Sequence, residues 1–170
     1  MTDRIMNGWA GATATAALVA VALVAGWIAR ADAAGTGGAV IALTQVPCQF
    51  VESENGVNRG FRTVRKADCE AINDRTGGQR LAEARVLRLK PGDYVFRVTN
   101  RDVPYELGFW LREKGYDWRN PLHKLTKTSV SGGGLMPGKT KDYKVTLEPG
   151  EYVYSCPLNP TPDYRLVVAP

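Results

Sequence analysis

The chain of 170 residues carries 22 Lys and Arg, 17 Asp and Glu, one His and three Cys, for a formal net charge of +5. One His excludes every site that needs two, including a His-rich zinc centre and a two-His copper centre. The length fits one domain plus a targeting segment, the apolar share of 44% suffices for a core, and the charge falls short of a nucleic-acid-binding tail.

Residues 9–29 contain no charged side chain; Arg4 precedes them and Arg30 and Asp32 follow. Ala31-Asp32-Ala33 has the small-x-small form of a signal-peptidase site, which makes residues 1–33 a signal peptide. The uncharged run also exceeds the usual signal core of about 7–15 residues and reaches the roughly 20 that span a bilayer, so an uncleaved anchor is the second reading. Both place residues 34–170 outside the cytoplasm, in the periplasm or an equivalent space, as one exported domain. Export makes a disulfide permissible. Cys48 and Cys69 flank a polar stretch with little core of its own, and bridging them would contribute about 3 kcal/mol on the chain-entropy model. Cys156 is left as a free thiol.

The rest of the chain reads as strands. Ala39–Leu43 is a short apolar run. Residues 69–83 form one helix-like patch, broken at Gly77-Gly78. Arg85–Lys90, Tyr94–Thr99, Asp142–Leu147, Tyr152–Cys156 and Tyr164–Val168 alternate with a period of two, and Tyr105–Leu111 is a further apolar run. Leu89–Val98 (LKPGDYVFRV) and Leu147–Cys156 (LEPGEYVYSC) nearly repeat, each a strand, a Pro-Gly turn and an aromatic-rich strand. Two such hairpins predict two facing sheets, each buried on one side. Tyr152, Tyr154 and Cys156 then share a core face.

The charge is concentrated. Residues 112–144 hold eight basic and three acidic side chains, and the remainder of 34–170 is balanced. This stretch predicts a basic surface for an acidic protein partner, with Lys124, Lys127, Lys139 and Lys141 as its cations and Trp110 and Trp118 as aromatic anchors. Gly133–Thr140 (GGLMPGKT) matches the phosphate-loop pattern, but strand-like sequence follows where a helix must open. Ser131–Gly138 instead reads as a flexible connection. His123 has no partner at triad or ligand spacing, so no enzymatic activity is expected.

The segment G-E-Y-V-Y-S-C-P-L-N, with the Pro-rich loop and last strand after it, resembles the C-terminal part of the cupredoxins, the small blue-copper β-sandwich proteins. In that family the strand delivers a copper cysteine, the loop supplies a His and usually a Met, and a second His lies upstream after an Asn-containing strand end. The frame V98-T99-N100-R101-D102-V103-P104-Y105 matches that upstream position. The resemblance implies an all-β, cupredoxin-like Greek-key sandwich with a short helix. Carried over, it places Cys156 at the thiolate position, Tyr105 and Asn159 at the two His positions, and Pro162 or Tyr164 at the Met position. Three of four ligands are replaced, so no metal or other cofactor is expected. The resulting reading is an exported, copper-free docking module, an accessory subunit of a membrane or periplasmic electron-transfer complex, binding protein and not nucleic acid, with residues 9–29 as a possible tether. The alternative is a copper carrier that recruits His123 or Met136 to Cys156.

Overall fold

The computed structural model describes residues 38–170, so the expected signal or anchor at 1–33 lies outside the described residues. Among the described residues no helix is long and apolar enough to cross a membrane. In chain order the elements are β1 (Ala39–Val46), β2 (Gln49–Phe50), a 3₁₀ turn (Glu52–Glu54), α1 (Lys66–Glu83), β3 (Leu87–Leu89), β4 (Gly92–Asn100), β5 (Leu107–Glu113), α2 (His123–Thr126), β6 (Ser129–Leu135), β7 (Thr140–Leu147), β8 (Gly150–Ser155) and β9 (Tyr164–Val168). The expected two-sheet β-sandwich is present. One sheet has the order β2-β1-β4-β7 and the other β3-β9-β8-β5-β6. Most neighbours are antiparallel; β1 with β4 and β3 with β9 are parallel.

The core lies between the sheets and is strongly aromatic. Phe96 on β4 stacks on Phe109 of β5 at 5.4 Å between ring centroids, and Tyr143 of β7 meets Phe109 at 5.1 Å. Phe50, Tyr154 and Tyr164 extend the cluster edge to face. Alternation buries Tyr152, Tyr154 and Cys156 together, each 2% exposed or less. Aromatic pairs contribute about 0.5–1.5 kcal/mol each beyond their buried area.

Three local expectations are corrected. The Pro-Gly units are not hairpins: β3 and β4 lie in different sheets, as do β7 and β8. Proline has no N–H to continue a ladder, and the chain uses each turn to cross from one sheet to the other. The helix is not broken at Gly77-Gly78 but runs unbroken through 18 residues. Two glycines cost about 1 kcal/mol each relative to alanine, and tertiary ties on either side of them offset that: the Cys69 disulfide on one side and the buried Arg80 on the other. Finally, Ser131–Gly138 is not a flexible connection. Its first half belongs to β6, paired with β5. The glycines serve close packing there. A Cβ on Gly108 would sit 2.9 Å from the Gly132 carbonyl oxygen, and one on Gly133 would sit 2.8 Å from Glu106 Oε1. The phosphate-loop pattern thus spans a strand, a turn and a second strand.

The topology gives the sandwich two ends. At the upper end lie the β1–β2 turn, the loop 101–106, the turn 136–139 and the loop 156–163. At the lower end lie the start of β1, the β7–β8 crossing, the end of β9 and the loop 114–128.

Candidate functional site at the upper end

Asn159 organises the upper end. It is fully buried. Its Oδ1 accepts from the Cys48 N–H at 3.0 Å, its Nδ2 donates to the Val46 carbonyl at 3.0 Å, and its own N–H donates to Cys156 Sγ at 3.2 Å. Tyr105 is half-buried, and its hydroxyl reaches Thr63 Oγ1 and Asn159 Oδ1 at 3.3 Å each. Burial pushes the Tyr105 phenol up. One buried amide therefore ties the loop 156–163 to the β1–β2 turn and to Tyr105.

Cys156 is 1% exposed. Burial pushes its thiol up, and N–H groups of Gly108, Asn159, Leu158 and Gln45 pull part of the way back. Gln45 Nε2 donates to the Gly108 carbonyl at 2.8 Å, and its Oε1 is buried without a partner among the described residues.

Behind Asn159 sits an ionic lock. Cys48 and Cys69 form the expected disulfide. Arg80 of α1, 1% exposed, donates through Nη2 to Glu54 Oε1 at 2.6 Å and to the Cys48 carbonyl at 2.7 Å, and through Nη1 to Asn73 Oδ1 at 2.6 Å. Glu54 also accepts from the Tyr164 hydroxyl and from Arg59 Nε, both at 2.5 Å. Burial raises the Glu54 carboxyl, but the hydrogen bonds from Arg80, Tyr164 and Arg59 outweigh it and hold the group below its ordinary value. Tyr164, placed by the resemblance at a possible metal position, is instead a fully buried hydrogen-bond donor to this carboxylate. Neither Arg80 nor Glu54 stood out in the sequence; each lies in a polar stretch with no periodicity to mark it as interior.

The residues at the upper end do not fit a type 1 copper centre. That centre takes two imidazoles and a thiolate. Cys156 is the only one of the three, Asn159 Oδ1 is already engaged by two donors, and the unpartnered Gln45 Oε1 adds an amide oxygen and no imidazole. His123 cannot be recruited: it lies in the loop 114–128, at the other end of the sandwich, where its Nδ1 accepts from the Asp117 N–H at 2.9 Å. Met136 does lie at the upper end, half-exposed on the turn after β6. Among the described residues no group of three or more His, Cys, Asp or Glu side chains is placed to hold a metal ion.

The structure also divides the six residues expected to contact a partner. Lys139 and Lys141 stand at the upper end, with Lys141 Nζ donating to the Gly133 carbonyl at 2.5 Å. Trp110 is half-buried on β5, with Arg112 4.0 Å over its ring and its Nε1 donating to Ser129 Oγ at 3.0 Å. It borders a shallow groove lined by Gly108, Gly132, Pro157 and Leu158. Trp118, Lys124 and Lys127 belong to the lower end, where Lys127 pairs with Glu113 at 2.6 Å.

The fold and this site define an all-β sandwich whose upper end is closed by buried polar bonds. Among solved structures the chain is similar to auracyanin B, at 14% identity over 77% of this chain and 88% of that one, with a TM-score of 0.45. No protein-family model matches the chain, and no curated protein matches it.

Proposed function

We propose that this chain is an extracytoplasmic docking module on a cupredoxin-like, copper-free sandwich, serving as an accessory subunit of a membrane or periplasmic electron-transfer complex. The observation that carries this reading is Asn159. The residue at a His position of the resembling family holds Cys48, Val46 and Cys156 together by hydrogen bonds. A side chain so engaged makes the upper end a rigid, preformed surface, and rigidity lowers the entropic cost of binding a partner. The groove between Trp110 and Leu158 offers apolar area, and Lys139 and Lys141 supply positive charge for an acidic protein beside it.

Two measurements test this. Purified protein titrated with Cu(II) should show no intense thiolate-to-copper absorption in the visible. A band that disappears in Cys156→Ser would overturn the copper-free reading. A photo-cross-linker placed at Leu158 should trap one protein in native membranes, and Lys139→Glu with Lys141→Glu should abolish the adduct. Recovery of uncross-linked monomer alone would overturn the docking role.

A further inference from the structure

The lower end carries a feature that this docking reading does not use. The loop 114–128 holds three large apolar side chains in water: Trp118 is 57% exposed, Leu122 64% and Leu125 84%. They are not the product of a slack loop. Backbone bonds run from Asn120 to Asp117, His123 to Asn120, Leu125 to Leu122 and Lys127 to His123, all near 3.0 Å. The His123 ring accepts from the Asp117 N–H and packs beside Tyr116. Polar bonds within the loop thus brace it, while these apolar groups face out. Holding Leu and Trp exposed on a braced turn costs solvation unless something apolar receives them.

The surrounding charge says what receives them. Residues 114–127 hold Lys114, Arg119, Lys124 and Lys127 against Asp117 alone. Lys114 and Lys127 are paired with Glu151 and Glu113. Among the described residues Arg119 and Lys124 have no carboxylate partner, and both are exposed beside the apolar trio. Trp flanked by Arg and Lys, with Leu at the tip, is the composition that partitions into the headgroup region of an anionic bilayer. The position of the chain agrees. β1 starts at this same lower end, and only residues 30–38 separate it from the uncharged run 9–29.

We propose that the loop 114–128 is a membrane-contact loop, which inserts Trp118, Leu122 and Leu125 into an anionic lipid surface while Arg119 and Lys124 meet the headgroup phosphates. The domain then rests on the bilayer by its lower end and presents the upper end to a partner.

The test uses the full chain reconstituted in vesicles of acyl-brominated phosphatidylcholine, with or without phosphatidylglycerol. In a background of Trp9→Phe and Trp27→Phe, subtracting the emission of the further Trp118→Phe variant isolates Trp118. Its emission should shift to the blue and be quenched in vesicles containing phosphatidylglycerol. The quenching should vanish in Leu122→Asp with Leu125→Asp, and each of Arg119→Gln and Lys124→Gln should lower the inserted-to-free ratio about fivefold, from the roughly 1 kcal/mol that one basic residue gains at an anionic surface. Unquenched Trp118 with the spectrum of an exposed indole overturns the proposal. So does a photo-cross-linker at residue 125 that captures a protein and no lipid in native membranes. The Cu(II) and Leu158 experiments read the other end of the domain, so failure of either reading is distinguishable.

Discussion

The two ends of the sandwich spend polar and apolar groups in opposite ways. At the upper end polar groups are buried: Glu54, Arg80, Asn100 and Asn159 are all at most 3% exposed. At the lower end the polar groups are solvated and the large apolar ones stand outside, with Leu125 the most exposed of all the large hydrophobic side chains described. The upper end gains definition from this, because a buried polar group admits only the geometry that satisfies it. The lower end gains nothing internally from its exposed leucines. The first arrangement serves the fold and shapes a fixed surface; the second does not serve the fold and is what the proposed membrane contact accounts for.

Substitutions that break the upper end should show this contrast first. Glu54→Gln or Arg80→Met leaves one partner of a buried pair uncompensated and should cost about 3–5 kcal/mol in urea unfolding. The same pair sets a pH dependence. Because the Glu54 carboxyl is held below the ordinary 4.5, its contribution is present above that value and is lost as pH falls through its folded-state pKa. Wild-type stability should therefore fall in acid below about pH 4.5, and Glu54→Gln should lack that component; parallel pH profiles would count against the lock. Asn159→Ala should have a smaller effect, about 2 kcal/mol, from the stranded Cys48 N–H and Val46 carbonyl. It should also speed labelling of the Cys156 thiol by a disulfide reagent, because the N–H that caps the sulfur is held by the same loop. Unchanged labelling would mean that Asn159 does not shield Cys156.

How much of this was readable in the chain follows from the range of each interaction. Alternation and short apolar runs are local signals, so seven of the nine strands among the described residues were legible, and Cys156 shares the core face with Tyr152 and Tyr154 as its alternation implies. The disulfide was legible because only two cysteines bracket a segment without its own core. The glycine-rich β6 was not, because its glycines answer to Tyr143 and Glu106, which lie across a strand pairing or farther along the chain. Nor was the partnership of Arg80 with Glu54, 26 positions apart, since a charged residue in a polar stretch reads as solvated. The six expected contact residues formed one group only in sequence. β6 runs from the lower end to the upper, so Lys139 and Lys141, which follow it, stand at the end opposite Lys124.

The lower end is where the smallest change in stability is expected, and that smallness is the informative result. Leu122 and Leu125 touch little of the domain, so Leu122→Asp with Leu125→Asp should shift the unfolding free energy by no more than about 0.5 kcal/mol, the ordinary range for surface positions. The added carboxylates also lie near Arg119 and Lys124, the exposed cations that have no carboxylate partner, and exposed ion pairs contribute at most about 1 kcal/mol, so a slight gain is compatible. A loss of 2 kcal/mol or more in thermal or urea unfolding would show that these leucines pack against the domain and that the exposure seen here is not their working state. A neutral result, set against the cost at Glu54 or Asn159, would mean that two large apolar side chains are kept on a braced turn without helping the fold. Their value must then be realised against another surface.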